Sequence, residues 1–112
     1  MAALNQTGQQ TLTVSTTAVP LTLPTASNKS RPKRVLIFCG PVGAATTNFV
    51  RWRADGTNPT ATAGMPLQVG DYLDLTSMDG QEADFYGTIS RIKFIRDTSA
   101  AADATLEIAY FA

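Results

Sequence analysis

Apolar residues recur at every second position through most of this chain, and no stretch of about 11 residues or more carries a 3.6-residue period. That spacing predicts strands almost throughout. Thr11 to Ser15 alternates, with Leu12 and Val14 on one face. Leu21 and Leu23 form a short alternation between Pro20 and Pro24, and the flanking prolines confine it to an edge or a crossing between sheets. Arg34 to Cys39 is a continuous apolar run that reads as buried on both sides. In Phe49 to Arg53, Val50 and Trp52 share one face and Arg51 and Arg53 the other. Asp71 to Leu75 follows a turn at Gly70. Phe85 to Asp97 reads as the longest strand, bent at Gly87, with Ile92 and Phe94 opposed to Arg91 and Lys93. Thr105 to Tyr110 closes the series.

Between these runs lie turn-forming clusters. Residues 25–33 and the acidic stretch from Met78 to Asp84 read as loops, and so do the thirteen residues from Ala54 to Pro66, which lack an apolar anchor until Met65. The fold class this implies is all-β: a small antiparallel β-sandwich, jelly-roll-like, of about seven to eight strands. Residues 1–10, small and polar, read as a flexible N-terminal arm, and 11–112 as a single sandwich domain. The expected inward set is Leu12, Val14, Ile37, Val50, Trp52, Leu73, Leu75, Ile92, Phe94, Leu106 and Ile108.

Composition supports a folded β-domain. Hydrophobic residues make up 44% and charged residues 16% of the chain, too little charge for a disordered segment. Thr, whose β-branch suits a pleated surface, accounts for 16 of 112 residues. The formal net charge of zero gives no electrostatic reason to expect nucleic acid or an anionic membrane as partner. The charge is nonetheless divided along the chain. Residues 1–54 hold six bases and no acid, about +6, and residues 55–112 hold nine acids against three bases, about −6. No window approaches the ~20 apolar residues of a spanning helix, and the chain reads as made in a reducing cytosol. The single cysteine, Cys39, reads as a buried, inert thiol.

Candidate chemistry is sparse. With no histidine and one cysteine, the usual zinc and transition-metal ligand sets cannot be assembled from one chain, nor can Ser-His or Cys-His triads. Asp79, Glu82 and Asp84 crowd one loop but lack the ligand alternation of an EF-hand, and no glycine pattern suits a phosphate. No catalytic, cofactor-binding or metal-binding residue is therefore expected, and no enzyme. Arg51-Trp52-Arg53 suggests base stacking beside phosphate contacts, but adjacent strand residues face opposite ways, which assigns Trp52 to the core. What remains is an outward basic face of Arg51, Arg53, Arg91 and Lys93, extended by Lys29, Arg31, Lys33 and Arg34. Such a face is either an ordinary solvated surface or one that steers docking onto an acidic protein surface. The remaining aromatics, Tyr72, Tyr86 and Phe111, are scattered and form no platform.

The segment Val50-Arg51-Trp52-Arg53-Ala54-Asp55-Gly56-Thr57-Asn58-Pro59-Thr60, followed by Gly64-Met65-Pro66-Leu67, resembles small virion proteins of tailed bacteriophages. So do Ile92-Lys93-Phe94-Ile95 and Leu106-Glu107-Ile108-Ala109-Tyr110, and the likeness extends over roughly residues 11–111. It implies a capsid decoration or cement protein that stabilises the assembled head. The partners so implied are the major capsid protein and copies of the chain itself, and the location is the capsid surface after synthesis in the bacterial cytoplasm. Two other functions stay open: a carbohydrate- or receptor-binding module of a tail or fibre, and a head-tail joining protein.

Overall fold

In a computed structural model, which describes residues 6–23, 32–41, 43–78 and 80–112, the chain forms two four-stranded antiparallel sheets. The strands are β1 (Gln6–Val14), β2 (Val19–Pro20), β3 (Arg34–Gly40), β4 (Val50–Arg53), β5 (Met65–Leu67), β6 (Tyr72–Thr76), β7 (Lys93–Arg96) and β8 (Ala104–Phe111). One helix, α1 (Glu82–Ser90), interrupts them. The first sheet has the order β1-β8-β3-β6 and the second β2-β7-β4-β5. The pairing is nested: β1 meets β8, β2 meets β7, β3 meets β6 and β4 meets β5. The expected all-β sandwich is therefore present.

The core lies between the sheets, where the alternation predicted it. Val14, Ile37, Val50, Ile92, Phe94, Leu106 and Ile108 are fully buried, while Leu12, Trp52, Leu73 and Leu75 pack against them half-buried. Burying a side chain such as Ile37 or Phe94 is worth about 2–3 kcal/mol relative to exposure. Val35, Leu21, Leu67, Ile89, Ala104 and Tyr110 complete the core and were absent from the predicted set. Cys39 is buried and free, and desolvation pushes its thiol up to about 11.

Among the described residues, Tyr110 is the one large polar group in this core. Its hydroxyl lies 3.1 Å from the Thr22 carbonyl and 3.2 Å from Gln10 Oε1, and Gln10 Oε1 also accepts the Thr22 N–H at 3.1 Å. The phenol thus clips the segment after β2 onto β1 and β8. Burial raises it to about 12.

Several expectations fail for identifiable reasons. The long strand from Phe85 to Asp97 is instead α1 followed by β7. A single i,i+4 pair, half-buried Phe85 and buried Ile89, seats this helix on the core, too little periodicity to read from sequence. Asp84 falls in the first turn, where the helix dipole favours it, and Gly87 is helical. The predicted loop from Met78 to Asp84 accordingly ends in this helix. The run from Arg34 to Cys39 is not buried on both sides: Val35, Ile37 and Cys39 face inward while Leu36 and Phe38 lie half-buried on the outer face.

Gln6 to Gln10, expected in a flexible arm, belong instead to β1 and pair with Phe111 to Ile108 of β8. Residues 1–5 lie outside the described residues. The second strand falls one step earlier than Leu21, at Val19–Pro20, though on a sheet edge as its proline demands. Finally, the loop from Ala54 to Pro66 runs into β5 and carries a bridge between Thr60 and Ala63, with Pro59 buried.

Candidate functional site

The structure does gather part of the predicted basic face. Arg53 stands opposite Lys93 across β4 and β7, and Arg51, two residues along on the same side, stands opposite Ile95. Arg91 is not on a strand but caps the C-terminus of α1, its side chain beside Gly56. Arg34 lies on the outer face of the other sheet, preceded by exposed Lys33. Lys29 and Arg31 lie outside the described residues.

Several of these cations are engaged by neighbouring side chains of the same chain. Arg53 pairs with Asp55 two residues on, and this bond holds the Asp55 carboxyl below its usual range. Lys93 Nζ donates to Asn58 Oδ1 at 2.9 Å. Arg34 forms a two-pronged pair with Asp74, Nε to Oδ1 at 3.0 Å and Nη2 to Oδ2 at 2.8 Å, which lowers the Asp74 carboxyl. Arg96 Nη1 reaches Asp103 at 2.7 Å. Of the six predicted positions that lie within the described residues, Lys33, Arg91 and Lys93 make no ion pair among those residues.

Arg51 is the most deeply engaged. Its Nε donates to Asp97 Oδ1 at 2.7 Å, its Nη1 donates to the Gly64 carbonyl at 3.0 Å, and its guanidinium lies 5.6 Å from the centre of the Phe49 ring. Asp97 is 5% exposed and accepts the Ser99 hydroxyl and the Ser99 N–H. Those two bonds, aided by Arg51, bring its carboxyl down to about 2. The loop before β5 thus closes over the outer face of the second sheet: Gly64 packs so tightly that a Cβ there would sit 3.2 Å from Arg51 Cβ, Pro59 Cβ and the Trp52 carbonyl oxygen, at a φ of +135°. Arg51 is a structural hub tying β4, β5 and the end of β7 together.

Two surface concavities stand out among the described residues. The larger, about 670 Å³, is lined by Trp52, Arg53, Ala54, Asp55, Gly64 and Met65. Trp52 packs on the core as predicted, yet it also lines this groove beside Met65, which is 59% exposed and faces it across β4 and β5. The smaller, about 300 Å³, lies on the outer face of the first sheet among Leu36, Phe38, Tyr72, Ala109, Gln9 and Glu107. There Phe38 and Tyr72 are cross-strand partners with ring centres 5.0 Å apart, and Tyr72 is 63% exposed. The signal for this hollow was available: strict alternation through 34–40 would have put Leu36 and Phe38 opposite Val35 and Ile37.

Among the described residues, no three His, Cys, Asp or Glu side chains gather as a metal site would require, and no helix is long and apolar enough to cross a membrane. No family model matches this sequence, and neither a curated protein nor a solved structure matches it.

Proposed function

We propose that this chain is a virion structural protein of the decoration type, a jelly-roll domain that binds the assembled head of a tailed phage and stabilises it without catalysis. The observation that carries the reading is the nested strand pairing, 1 with 8, 2 with 7, 3 with 6 and 4 with 5, which is the order of a jelly roll. That architecture recurs in capsid and lectin domains, so it supports the class by analogy of fold. The resemblance of residues 50–67 and of the closing strands to small phage virion proteins supplies the word phage.

The reading assigns head contact to the outer face of the first sheet. Its hollow offers an apolar centre of Leu36, Phe38 and Tyr72 inside a rim of Arg34, Asp74 and Glu107, the pattern of an interface with an apolar middle and a polar border. Co-sedimentation of purified protein with undecorated heads, followed by electron microscopy, tests it. Saturable binding is expected at physiological salt, and absence of the protein from the pelleted heads would refute the proposal.

A second reading draws on the Trp52 groove. A half-buried indole beside the Arg53–Asp55 pair offers one apolar ring and several hydrogen-bonding groups, a combination that suits a sugar ring. Titration of saccharides against tryptophan fluorescence is decisive because Trp52 is the chain's one tryptophan. No change in emission with any sugar on a broad panel would remove this reading.

A further inference from the structure

Each sheet of a sandwich has two edges, and an unpaired edge presents N–H and C=O groups to any strand that approaches. Three of the four edges here are blunted. β2 is two residues long and ends in Pro20; β5 is three residues long with Pro66 at its centre. β6 carries Asp74 and is preceded by Asp71. β1 differs from all of them. It spans nine residues, Gln6–Val14, without a charge or a proline, and among the described residues only β8 pairs with it. Among the described residues, the segment after β2 reaches it through the Gln10 side chain, which accepts the Thr22 N–H.

We infer that the open edge of β1 is the place where two copies of this chain meet, pairing antiparallel about a two-fold axis to join their first sheets into one eight-stranded sheet. The chemistry of the edge favours a second copy as occupant. Two-fold pairing sets a strand against its own sequence, so any charge near the axis meets the same charge. The outward residues Thr7, Gln9, Thr11 and Thr13 carry none. Thr and Gln donate and accept hydrogen bonds, so each can satisfy its own kind. The first sheet's other edge cannot do this as readily, because its strand, β6, carries the charged Asp74. The inference stands apart from head binding: it names where copies of the chain join, whatever surface they then cover.

Light scattering on the eluting full-length protein tests it, read across roughly 1–100 µM because a mass-action dimer responds to concentration. The expected mass is twice the 11.9 kDa of the chain. The double variant Gln9→Lys/Thr11→Lys, which brings lysines of the two copies together, should elute as a monomer with unchanged circular dichroism. Thr76→Lys, on the opposite edge of the same sheet, should remain a dimer. A monomeric natural protein over that whole range overturns the inference. So does a Gln9→Lys/Thr11→Lys variant that still dimerises, or a Thr76→Lys variant that loses the dimer equally. Because no heads are present, failure here leaves the head-sedimentation result to be judged separately.

Discussion

If Arg51 were a docking residue, replacing it would spare the fold; as a hub, its loss should cost the fold dearly. Arg51→Met keeps the apolar stem and removes the donors to Asp97 at 2.7 Å and to Gly64 at 3.0 Å. A hydrogen bond to a charged group is worth about 1.5–3 kcal/mol and a neutral one about 1 kcal/mol. The Ser99 hydroxyl and N–H still hold Asp97, so the cost stays below that of a wholly orphaned buried charge. The expected loss is about 3 kcal/mol, or roughly 10–12 °C in Tm at about 4 °C per kcal/mol for a chain of this size. Urea unfolding at neutral pH should show a lower midpoint with an unchanged slope. In a cycle with Asp97→Asn, the coupling should be about 2 kcal/mol. A coupling below about 0.5 kcal/mol would place the pair with ordinary surface ion pairs and refute the hub.

Other outcomes follow from the same geometry. Because the Asp97 carboxyl is depressed to about 2, its contribution is present above the ordinary carboxylate range and fades as pH falls from about 4 toward 2. After allowance for solvent screening that is about 1–2 kcal/mol, and Asp97→Asn should flatten this limb of an acid titration followed by circular dichroism. Tyr110 behaves oppositely: its raised value of about 12 gives stability that is complete below pH 10 and lost as pH climbs through 12. Tyr110→Phe should abolish this alkaline loss while costing about 1–2 kcal/mol at neutral pH, measured by urea titration. Cys39, buried with its thiol near 11, should react with a thiol reagent only in denaturant, and rapid labelling of the native protein would contradict its placement. Tyr72→Ser in the outer hollow should leave Tm within about 2 °C, since an exposed site costs little, yet weaken head sedimentation.

The sandwich was legible wherever one face of a strand met the core and the other met solvent. Leu12 and Val14, Val50 and Trp52, Leu106 and Ile108 announced their strands through period two, and all face inward. Legibility failed where something other than amphipathicity decides. Gln6 to Gln10 carry no apolar residue, and they are extended because β8 offers a ladder. α1 has only Phe85 and Ile89 to mark its buried face, and Gly87 and Thr88 lower its propensity; packing on the core overrides both. β5 is three residues with a proline, below any pattern's reach. For the candidate site, the outward facing of Arg51 and Arg53 was readable, but their engagement was not. Asp97 lies 46 residues from Arg51 in sequence, and nothing short of strand register brings it alongside. The Phe38–Tyr72 contact is hidden for the same reason.

β8, the last strand in sequence order, occupies an inner position of the first sheet, with β1 on one side and β3 on the other. During synthesis, β1 has no backbone partner until nearly the whole domain has left the ribosome. The outermost hairpin must close around strands already assembled, so the domain completes its fold only after translation has passed Phe111. Until then Val35, Ile37 and Val14 lack the wall of Leu106, Ile108 and Tyr110 that encloses them. A stop codon or proteolytic cut before β8 would therefore leave not a smaller sandwich but an open half-sheet, a species expected to be sticky, short-lived and dependent on chaperones.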